Sequence, residues 1–540
     1  MLSRFRNLFL TVLSAVFLVL PFHFGKLGAL AFFAFIPYFI VLSSCPPGAA
    51  FKVSCLHGFL FFCLLGYWLS YVNVLGFVLL AAYLALYFAF FGIAASKFIN
   101  SERPFGQMSA ASLIKPCIFL PAVWVALEFV RSWLAGGFPW ALLGYSQWKT
   151  LPLIQMADIT GAYGVSYFVL FINLLLFQGF RVLVMKPAEF SKFGFSAETK
   201  KKTLSILTGV LFLAFLLIGG TGALTLQSRI NFYKSPGDKA VLRVSVLQGS
   251  IPQEEKWDAK IKNIIFEKYK RLMFMSAVEK SDLIVWPETS FPGYLEDEVE
   301  MAAQLRSAVR QTRTAVLVGA PTFGDLEKGL RFYNSAVLYG PDGEEHQRYS
   351  KVHLVPFGEY VPFERLIGFI RRFVQIGHFT PGQEKTIFTV VSRYQKIKLK
   401  ANFAALICYE DIFPGLVRDF CNQGADFLIN MTNDAWFGDS TAPYQHTQAS
   451  VFRAVENRVP VVRATNTGLS CFISPEGFVM STVMENGKEI FVTGHKGCDL
   501  ILRKGRSFYT RFGDVFVVFC FFLCLLAYKD RSKKRIYSSI

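Results

Sequence analysis

Charge is what this chain has least of. Only 17% of its 540 residues are charged while 53% are hydrophobic, and an ordinary soluble domain carries about 25% charged residues. That deficit excludes intrinsic disorder, which requires low hydrophobicity, and argues against a purely soluble enzyme. Glycine (41) and proline (23) are not enriched, so collagen-like and low-complexity readings fail. No repeat of about 20–50 residues is visible, which removes a solenoid. There is no CxxC pair and no Cys/His spacing resembling a zinc site, so no metal or other cofactor is expected. Acidic residues number 38 against 56 basic ones, a net charge of +18, yet no nucleic-acid motif accompanies the excess. The composition is that of a membrane protein.

Long apolar runs are abundant. Seven precede residue 227, at about 8–25, 27–44, 52–72, 74–96, 113–134, 161–183 and 204–226, and an eighth covers about 512–528. Each is near the roughly 20 residues a helix needs to cross the ~30 Å hydrocarbon layer. Arg4 and Arg6 before the first run suit a signal peptide, but no small-x-small cleavage site precedes the second run, so the first is read as a span. Basic residues set an orientation. Arg4 and Arg6 lie before the first run, Lys97 and Arg103 between the fourth and fifth. Arg181, Lys186, Lys192, Lys200, Lys201 and Lys202 lie between the sixth and seventh, and Lys529, Arg531, Lys533, Lys534 and Arg535 follow the eighth. With eight spans all four clusters fall on one face, the cytoplasmic one by the positive-inside rule. The expected plan is a seven-helix domain over 1–230, an external domain over 240–504, a last membrane helix over 512–528 and a basic cytoplasmic tail over 529–540.

Between residues 240 and 504 the texture changes. Strand-like stretches at 241–248, 281–287, 314–319, 403–408 and 425–430 alternate with amphipathic candidates at 254–280, 295–311 and 444–458. Such alternation predicts a layered α/β domain. Of the ten cysteines, Cys45, Cys55, Cys63, Cys117, Cys520 and Cys524 belong to or border the apolar runs, where cysteine acts as a small hydrophobe. Cys408, Cys421, Cys471 and Cys498 remain in the 240–504 domain, where disulfides form if the compartment is oxidising.

Three segments of that domain combine into chemistry. Trp286-Pro287-Glu288-Thr289 ends the run Leu283-Ile284-Val285, and a carboxylate at a strand end either caps a turn or projects into a cleft. Lys351 and Glu359 bracket an apolar stretch punctuated by Pro and Gly, which suits a surface salt bridge poorly. Leu406-Ile407-Cys408-Tyr409-Glu410-Asp411 puts a thiol at the end of a buried strand; alone it reads as a structural cysteine. Together they supply what a cysteine nucleophile needs, a base for its proton and a positive group for the developing oxyanion. Glu288 is the base, its pKa raised by an apolar pocket. Lys351 gives the charge, and the backbone N–H after Cys408 a second donor. The histidines of the domain show no obvious nucleophile context.

In that order and context Glu288, Lys351 and Cys408 resemble the nitrilase-superfamily triad. The Trp-Pro-Glu segment, the run from Lys351 to Pro362 and Ile407-Cys408-Tyr409-Glu410 are similar to the apolipoprotein N-acyltransferase family, bacterial membrane enzymes that complete lipoprotein maturation. Gly137-Phe138-Pro139-Trp140, Gly144-Tyr145-Ser146-Gln147, Val246-Leu247-Gln248-Gly249, Trp257, Asn433 to Gly438 and Arg463 to Gly468 resemble further family stretches. Ala442, Val459 and Ser474 depart from residues usual there (Gly, Arg and Asp), which touches loop shape and not the triad.

The resemblance covers essentially the whole chain. It implies about eight transmembrane helices plus an external α/β nitrilase-like αββα sandwich. It further implies a ping-pong acyl transfer, from the sn-1 position of a phospholipid through a thioester on Cys408 to the α-amine of a diacylglyceryl-cysteine apolipoprotein. Glu359, Tyr409 and Glu410 would support the triad. Trp257, Trp140, Gly137 and Trp436 would bind substrate, although each tryptophan equally suits packing or an interfacial belt. Glu128 with Arg131, inside an apolar run, is read as a structural contact before a catalytic one. The expected setting is a monomer in the bacterial inner membrane, with membrane lipid around it, no nucleic-acid partner, its catalytic domain periplasmic and both termini cytoplasmic. Two other readings compete: a membrane-tethered amidase that uses water as acceptor, and a transporter or scaffold with an inactive domain. The intact Glu, Lys and Cys set and the scarcity of charge in the spans oppose the last.

Overall fold

The computed structural model describes residues 2–100, 110–184, 197–234, 240–256, 258, 260–324, 329–360, 378–393 and 398–538. The chain divides into two compact units, Met1–Asn231 with Phe512–Ile540, and Phe232–Arg511.

The first unit is helical because a chain in lipid has no water to pair its backbone and must do so within each segment. Its helices are α1 (Leu2–His23), α2 (Ile36–Leu42), α3 (Pro47–Leu65), α4 (Val74–Asn100), α5 (Ala110–Arg131), α6 (Ala157–Val184), α7 (Ala197–Phe215) and α8 (Thr221–Lys234). Among the described residues seven helical stretches are long and apolar enough to cross a membrane, the last being Glu198–Asn231. It runs from α7 into α8 through a π-helical turn at Leu216–Gly220. The eighth apolar run forms a shorter apolar stretch, Val515–Lys529, within the helix Val515–Ser538. That helix packs on α5 and α6, with Phe521 against Phe129 and Phe516 against Tyr167.

The run at 27–44 does not form one helix. It divides into a 3-10 segment, Gly25–Phe32, and α2. Buried Asn173 of α6 mends the break: its amide nitrogen donates to the Ala31 carbonyl at 2.8 Å and its oxygen accepts from the Phe35 N–H at 3.0 Å. A sequence pattern registers hydrophobicity and misses this break, because the bonds that allow it come from another helix. Glu128 and Arg131 of α5 also serve backbone. Glu128 accepts from the Leu143 N–H at 2.7 Å, and Arg131 donates to the Trp140 carbonyl at 3.1 Å.

The second unit holds two six-stranded sheets, ordered β12-β1-β2-β3-β4-β5 and β11-β10-β9-β8-β7-β6. The strands of the first are β1 (Ala240–Gln248), β2 (Leu283–Val285), β3 (Ala315–Gly324), β4 (Arg331–Tyr339), β5 (Glu345–Ser350) and β12 (Gly494–Leu502). Those of the second are β6 (Phe388–Val391), β7 (Lys400–Ile407), β8 (Phe427–Thr432), β9 (Val461–Thr465), β10 (Cys471–Ile473) and β11 (Val479–Thr482). Each sheet has a parallel centre, β1-β2-β3 in one and β7-β8-β9 in the other, with antiparallel flanks. The sheets face one another, β1 near β9 and β4 near β7. Helices α9 (Lys262–Val278) and α10 (Val299–Thr312) cover the first sheet, burying Phe266, Tyr269, Leu305 and Val309 against Ile284, Trp286 and Val316. Helices α11 (Pro414–Asn422) and α12 (Ala442–Asn457) pack against the second. The result is an α-β-β-α sandwich.

Sequence periodicity makes α12 amphipathic, yet the structure buries every one of its residues but Tyr444, with Gln445, His446, Gln448 and Arg453 included. Its polar side meets other polar groups instead of water. That face backs the site described next.

Candidate active site

Parallel strands in an α/β sheet end together, and the crevice beyond their carboxyl ends is where such folds bring chemistry to one place. Here β2 and β7 lead directly to Glu288 and Cys408, while Lys351 immediately follows β5. Cys408 opens a 3-10 turn, Cys408–Ile412, with a left-handed φ of 53°. A non-glycine residue held there costs about 1–3 kcal/mol and persists only where its surroundings enforce it. Glu410 provides much of that enforcement. Its Oε2 accepts from the Ile407 N–H at 2.7 Å. Its Oε1 accepts from the Tyr349 hydroxyl and the Val352 N–H, both at 2.8 Å, and from the His353 N–H at 3.0 Å. One carboxylate thus ties the Cys408 turn to the segment that carries Lys351. Asn430 of β8 adds a bond from its amide to the Cys408 carbonyl at 2.9 Å.

Opposite the thiol stand two carboxylates and an ammonium. Lys351, 1% exposed, lies 2.8 Å from Glu359 and 3.8 Å from Glu288. The Asn334 amide of β4 donates to both carboxylates, at 2.8 Å to Glu288 and 3.2 Å to Glu359. Glu359 is itself fixed by the Val355 N–H at 2.8 Å. Burial holds the Glu288 carboxyl above its ordinary range, with Lys351 opposing and Glu359 reinforcing. Burial works against the Lys351 charge, but Glu359 and Glu288 outweigh it and raise its pKa. The Cys408 thiol is pushed up by burial first and by Glu288 next, while Lys351 pulls it down. The resting thiol is therefore protonated, beside a carboxyl whose raised pKa suits it to take a proton. Glu410 is pushed up to about 7 by burial, against the donors that favour its charged form.

Lys256, which the sequence pattern did not single out, is buried beside Glu288. Its ammonium donates to the Glu288 carbonyl at 3.0 Å and to the Thr289 hydroxyl. Burial lowers its pKa to about 8, with Glu288 and Cys408 acting to raise it.

Behind the turn lies a second charged cluster. Asp411 accepts from His446 Nε2 at 2.8 Å, from Arg463 at 3.0 Å and from the Ser450 hydroxyl. The other ring nitrogen of His446 lies 3.2 Å from Asp434. Burial works to lower the His446 pKa, but Asp411 and the other bonds carry it up to about 9, so the ring is an imidazolium. Sequence analysis assigned no role to this histidine. Its context exists only where α12 meets the turn, 35 residues away along the chain.

The remaining sequence expectations fall as follows. Tyr409 directly follows Cys408, and its ring packs edge-on to Phe413 at 5.0 Å. Trp436 lies in the 3-10 turn Asp434–Phe437 and is 52% exposed. Trp140 is buried in the helical unit against Trp68, and Gly137 adopts a φ of 77° in the same loop. Trp257 lies outside the described residues. Ser474, where the family pattern has Asp, accepts from the Glu476 and Phe478 N–H groups and so closes the β10–β11 turn as an Asp would. All ten cysteines are free thiols. Among the described residues no three His, Cys, Asp or Glu side chains are grouped as metal ligands.

Comparisons with known proteins bear on both units. Residues 243–494 match the carbon-nitrogen hydrolase family, and residues 14–175 match the apolipoprotein N-acyltransferase N-terminal domain. An apolipoprotein N-acyltransferase from Geobacter metallireducens is 36% identical over 528 residues, 95% of this chain and 93% of that one. One from Haemophilus influenzae is 34% identical over 410 residues, 75% and 70% of the two chains. Among solved structures, an amidase from Nesterenkonia sp. aligns at 19% identity with a TM-score of 0.36, covering 50% of this chain and 92% of its own. Matched along nearly its full length, with a family-specific helical unit joined to a carbon-nitrogen hydrolase unit, the chain belongs to the apolipoprotein N-acyltransferase family.

Proposed function

We propose that this enzyme, a membrane-bound acyltransferase, uses Cys408 to carry an acyl chain from the sn-1 position of a phospholipid to the α-amine of a diacylglyceryl-cysteine apolipoprotein. The observation that carries this is the meeting of Glu288, Lys351 and Glu359 opposite a nucleophile turn whose thiol feels both Glu288 and Lys351. In the first half-reaction Glu288 takes the Sγ proton as sulfur attacks the ester carbonyl. Lys351 and the Tyr409 N–H face the tetrahedral oxygen, contacts worth about 2.7–4 kcal/mol per donor in such sites. The carbonyl–oxygen bond to the glycerol breaks, Glu288 returns the proton to that oxygen, and the lysophospholipid departs from a thioester.

In the second half the neutral amine attacks the thioester carbonyl. The carbon–nitrogen bond forms, the carbon–sulfur bond breaks, and the amine proton passes through Glu288 to the thiolate. Glu359 orients Lys351, and Glu410 holds the turn that carries the sulfur. Trp257, Trp140, Gly137 and Trp436 belong in this reading to the surfaces that meet acyl chains. Keeping both lipids at the interface avoids about 0.8 kcal/mol for every CH₂ withdrawn into water. The catalytic unit then works as part of a monomer on the periplasmic face of the inner membrane, with both termini cytoplasmic. This topology follows from the placement of Lys and Arg along the chain.

The test incubates the purified enzyme with phospholipid labelled in its sn-1 chain and follows label on the Cys408 peptide. Label is expected on Cys408 and then on an added diacylglyceryl peptide. Transfer that survives Cys408→Ser overturns the mechanism, and release of label to water as fast as to peptide favours an amidase. Protease protection in oriented vesicles tests the topology, which fails if the unit of residues 232–511 is cleaved from the cytoplasmic side.

A further inference from the structure

Two carboxylates and a thiol share one close ammonium in this site. Glu288 and Glu359 both bond Asn334, and both flank Lys351. Like charges so placed resist ionising together. Forming a thiolate beside them adds a further negative charge. With Lys351 as the only cation, the group would be left one charge negative at rest, with Glu288 ionised and the thiol neutral. It would remain so after Glu288 takes the thiol proton. A second ammonium brings both counts to zero, and Lys256 is the one within reach.

Its placement is specific. Lys256 is 6% exposed. Its ammonium bonds the carbonyl of Glu288 and the hydroxyl of the next residue, Thr289. Thr289 has a φ of 43°, a left-handed conformation that a β-branched residue rarely adopts. The lysine thus clamps a strained turn whose function is to aim the base. Among the described residues no carboxylate lies within ion-pair distance of Lys256, unlike Lys351 with its two. A buried ammonium that only steadied a turn would more cheaply be a neutral donor. The strap that carries it is itself anchored to the second sheet. The Asn433 amide donates to Gln253 at 2.8 Å, and Asn466 brackets Ile251 with bonds of 2.9 and 2.7 Å.

We propose that Lys256 is a positioning residue of the acyl-transfer site: it clamps the Glu288 turn and supplies the second positive charge that lets Cys408 ionise beside two carboxylates. The inference rests on the reading of Glu288 and Cys408 as base and nucleophile. The titratable groups facing Lys256 are Glu288 after β2 and Cys408 after β7, with Lys351 and Glu359 beyond Glu288. On its own segment Glu254, Glu255 and Asp258 are exposed to water. As pH rises through about 8 the lysine loses its charge, and Cys408 becomes harder to ionise.

The test uses the full-length enzyme in phospholipid vesicles. Iodoacetamide alkylation of the Cys408 peptide is followed by mass over about pH 6–10, in parallel with acyl-thioester formation, in the parent and in Lys256→Met and Lys256→Arg. Lys256→Met is expected to shift alkylation to higher pH and to slow thioester formation about tenfold or more near neutrality. Lys256→Arg, whose guanidinium stays charged throughout, is expected to match the parent below pH 8 and to exceed it above. If a folded Lys256→Met keeps the parent's alkylation profile, the lysine is a mere clamp and the proposal falls. If Lys256→Met does not fold, Lys256→Arg decides: a profile superimposable on the parent's also overturns it. Failure of the parent to take label from phospholipid condemns the acyl-transfer reading instead, since alkylation reports on Lys256 without it.

Discussion

The two charged clusters on either side of the Cys408 turn are made from the same materials and differ in how directly their charges are paired. Behind the turn, Asp411 and Asp434 face His446 and Arg463, all at most 2% exposed, so two negative charges meet two positive ones. In front, Glu288 and Glu359 share the close Lys351 ammonium, while Lys256 bonds a carbonyl and a hydroxyl rather than a carboxylate. A buried cluster whose opposite charges are directly paired holds its shape. In front, burial lifts the Glu288 carboxyl above its ordinary range, which suits it to exchange a proton. In the proposed mechanism the site thus places its rigidity behind Cys408 and its reactivity in front.

This contrast breaks most sharply at Cys408. Cys408→Ala is expected to abolish acyl-enzyme formation while leaving the melting temperature nearly unchanged, as mass spectrometry and thermal unfolding would show. Lys351→Met should slow transfer by about 10²–10³-fold. It should also lower the melting temperature, because Glu359 and Glu288 stay buried without their close partner. Asp411→Asn attacks the rear cluster and should act first on stability. Breaking a buried pair costs about 3–5 kcal/mol, and activity should fall mainly as the folded fraction falls. If Asp411→Asn instead leaves stability intact and kills transfer, the division between front and rear is wrong.

A finer distinction comes from pH. The folded pKa of His446 is raised from 6.5 to about 9. Its stabilisation is therefore complete below pH 6.5 and is lost as pH rises through about 9. Asp411 is shifted the other way: despite burial, His446 and Arg463 hold it below 3.8. Its contribution is present above that value and is lost as pH falls through the depressed pKa. Melting temperatures across this range should decline on the alkaline side in the parent, and His446→Gln should flatten that limb. An unchanged alkaline limb in His446→Gln would mean that the ring is neutral. The smallest effect is expected at Trp436, whose exposure leaves little packing to lose. Trp436→Ala should leave the melting temperature unchanged and raise the KM for phospholipid severalfold, about 1 kcal/mol of apolar contact.

Much of this was legible in the chain. The apolar runs marked the membrane helices because a stretch of about 20 apolar residues has few other stable fates. Strand-like segments at 241–248, 314–319 and 403–408 correspond to β1, β3 and β7; in β3 and the second half of β7 the apolar residues are continuous because both faces are buried. The polar strands β5 (EHQRYS) and β12 (GHKGCDLIL) carry no such signal, since they lie at the sheet edges. Glu288, Lys351 and Cys408 were visible because each stands at an abrupt junction of strand and turn. Lys256, Asn334 and His446 were not. A lysine in a charged loop, an asparagine in a strand and a histidine in a polar helix look ordinary until distant neighbours surround them.

The sequence by itself determined what dissolves in what: which stretches suit lipid, which fold in water, and where strands stop. Composition and local order suffice for that, since transfer free energy and backbone preference act over a few residues at a time. Only the tertiary structure decided the charge states. It set a lysine between two glutamates, left another on a strained carbonyl, and turned a histidine of α12 into a buried cation. A pKa is fixed by groups a few ångströms away in space, and here, Glu359 beside Lys351 apart, they come from segments about a dozen residues or more distant in the chain.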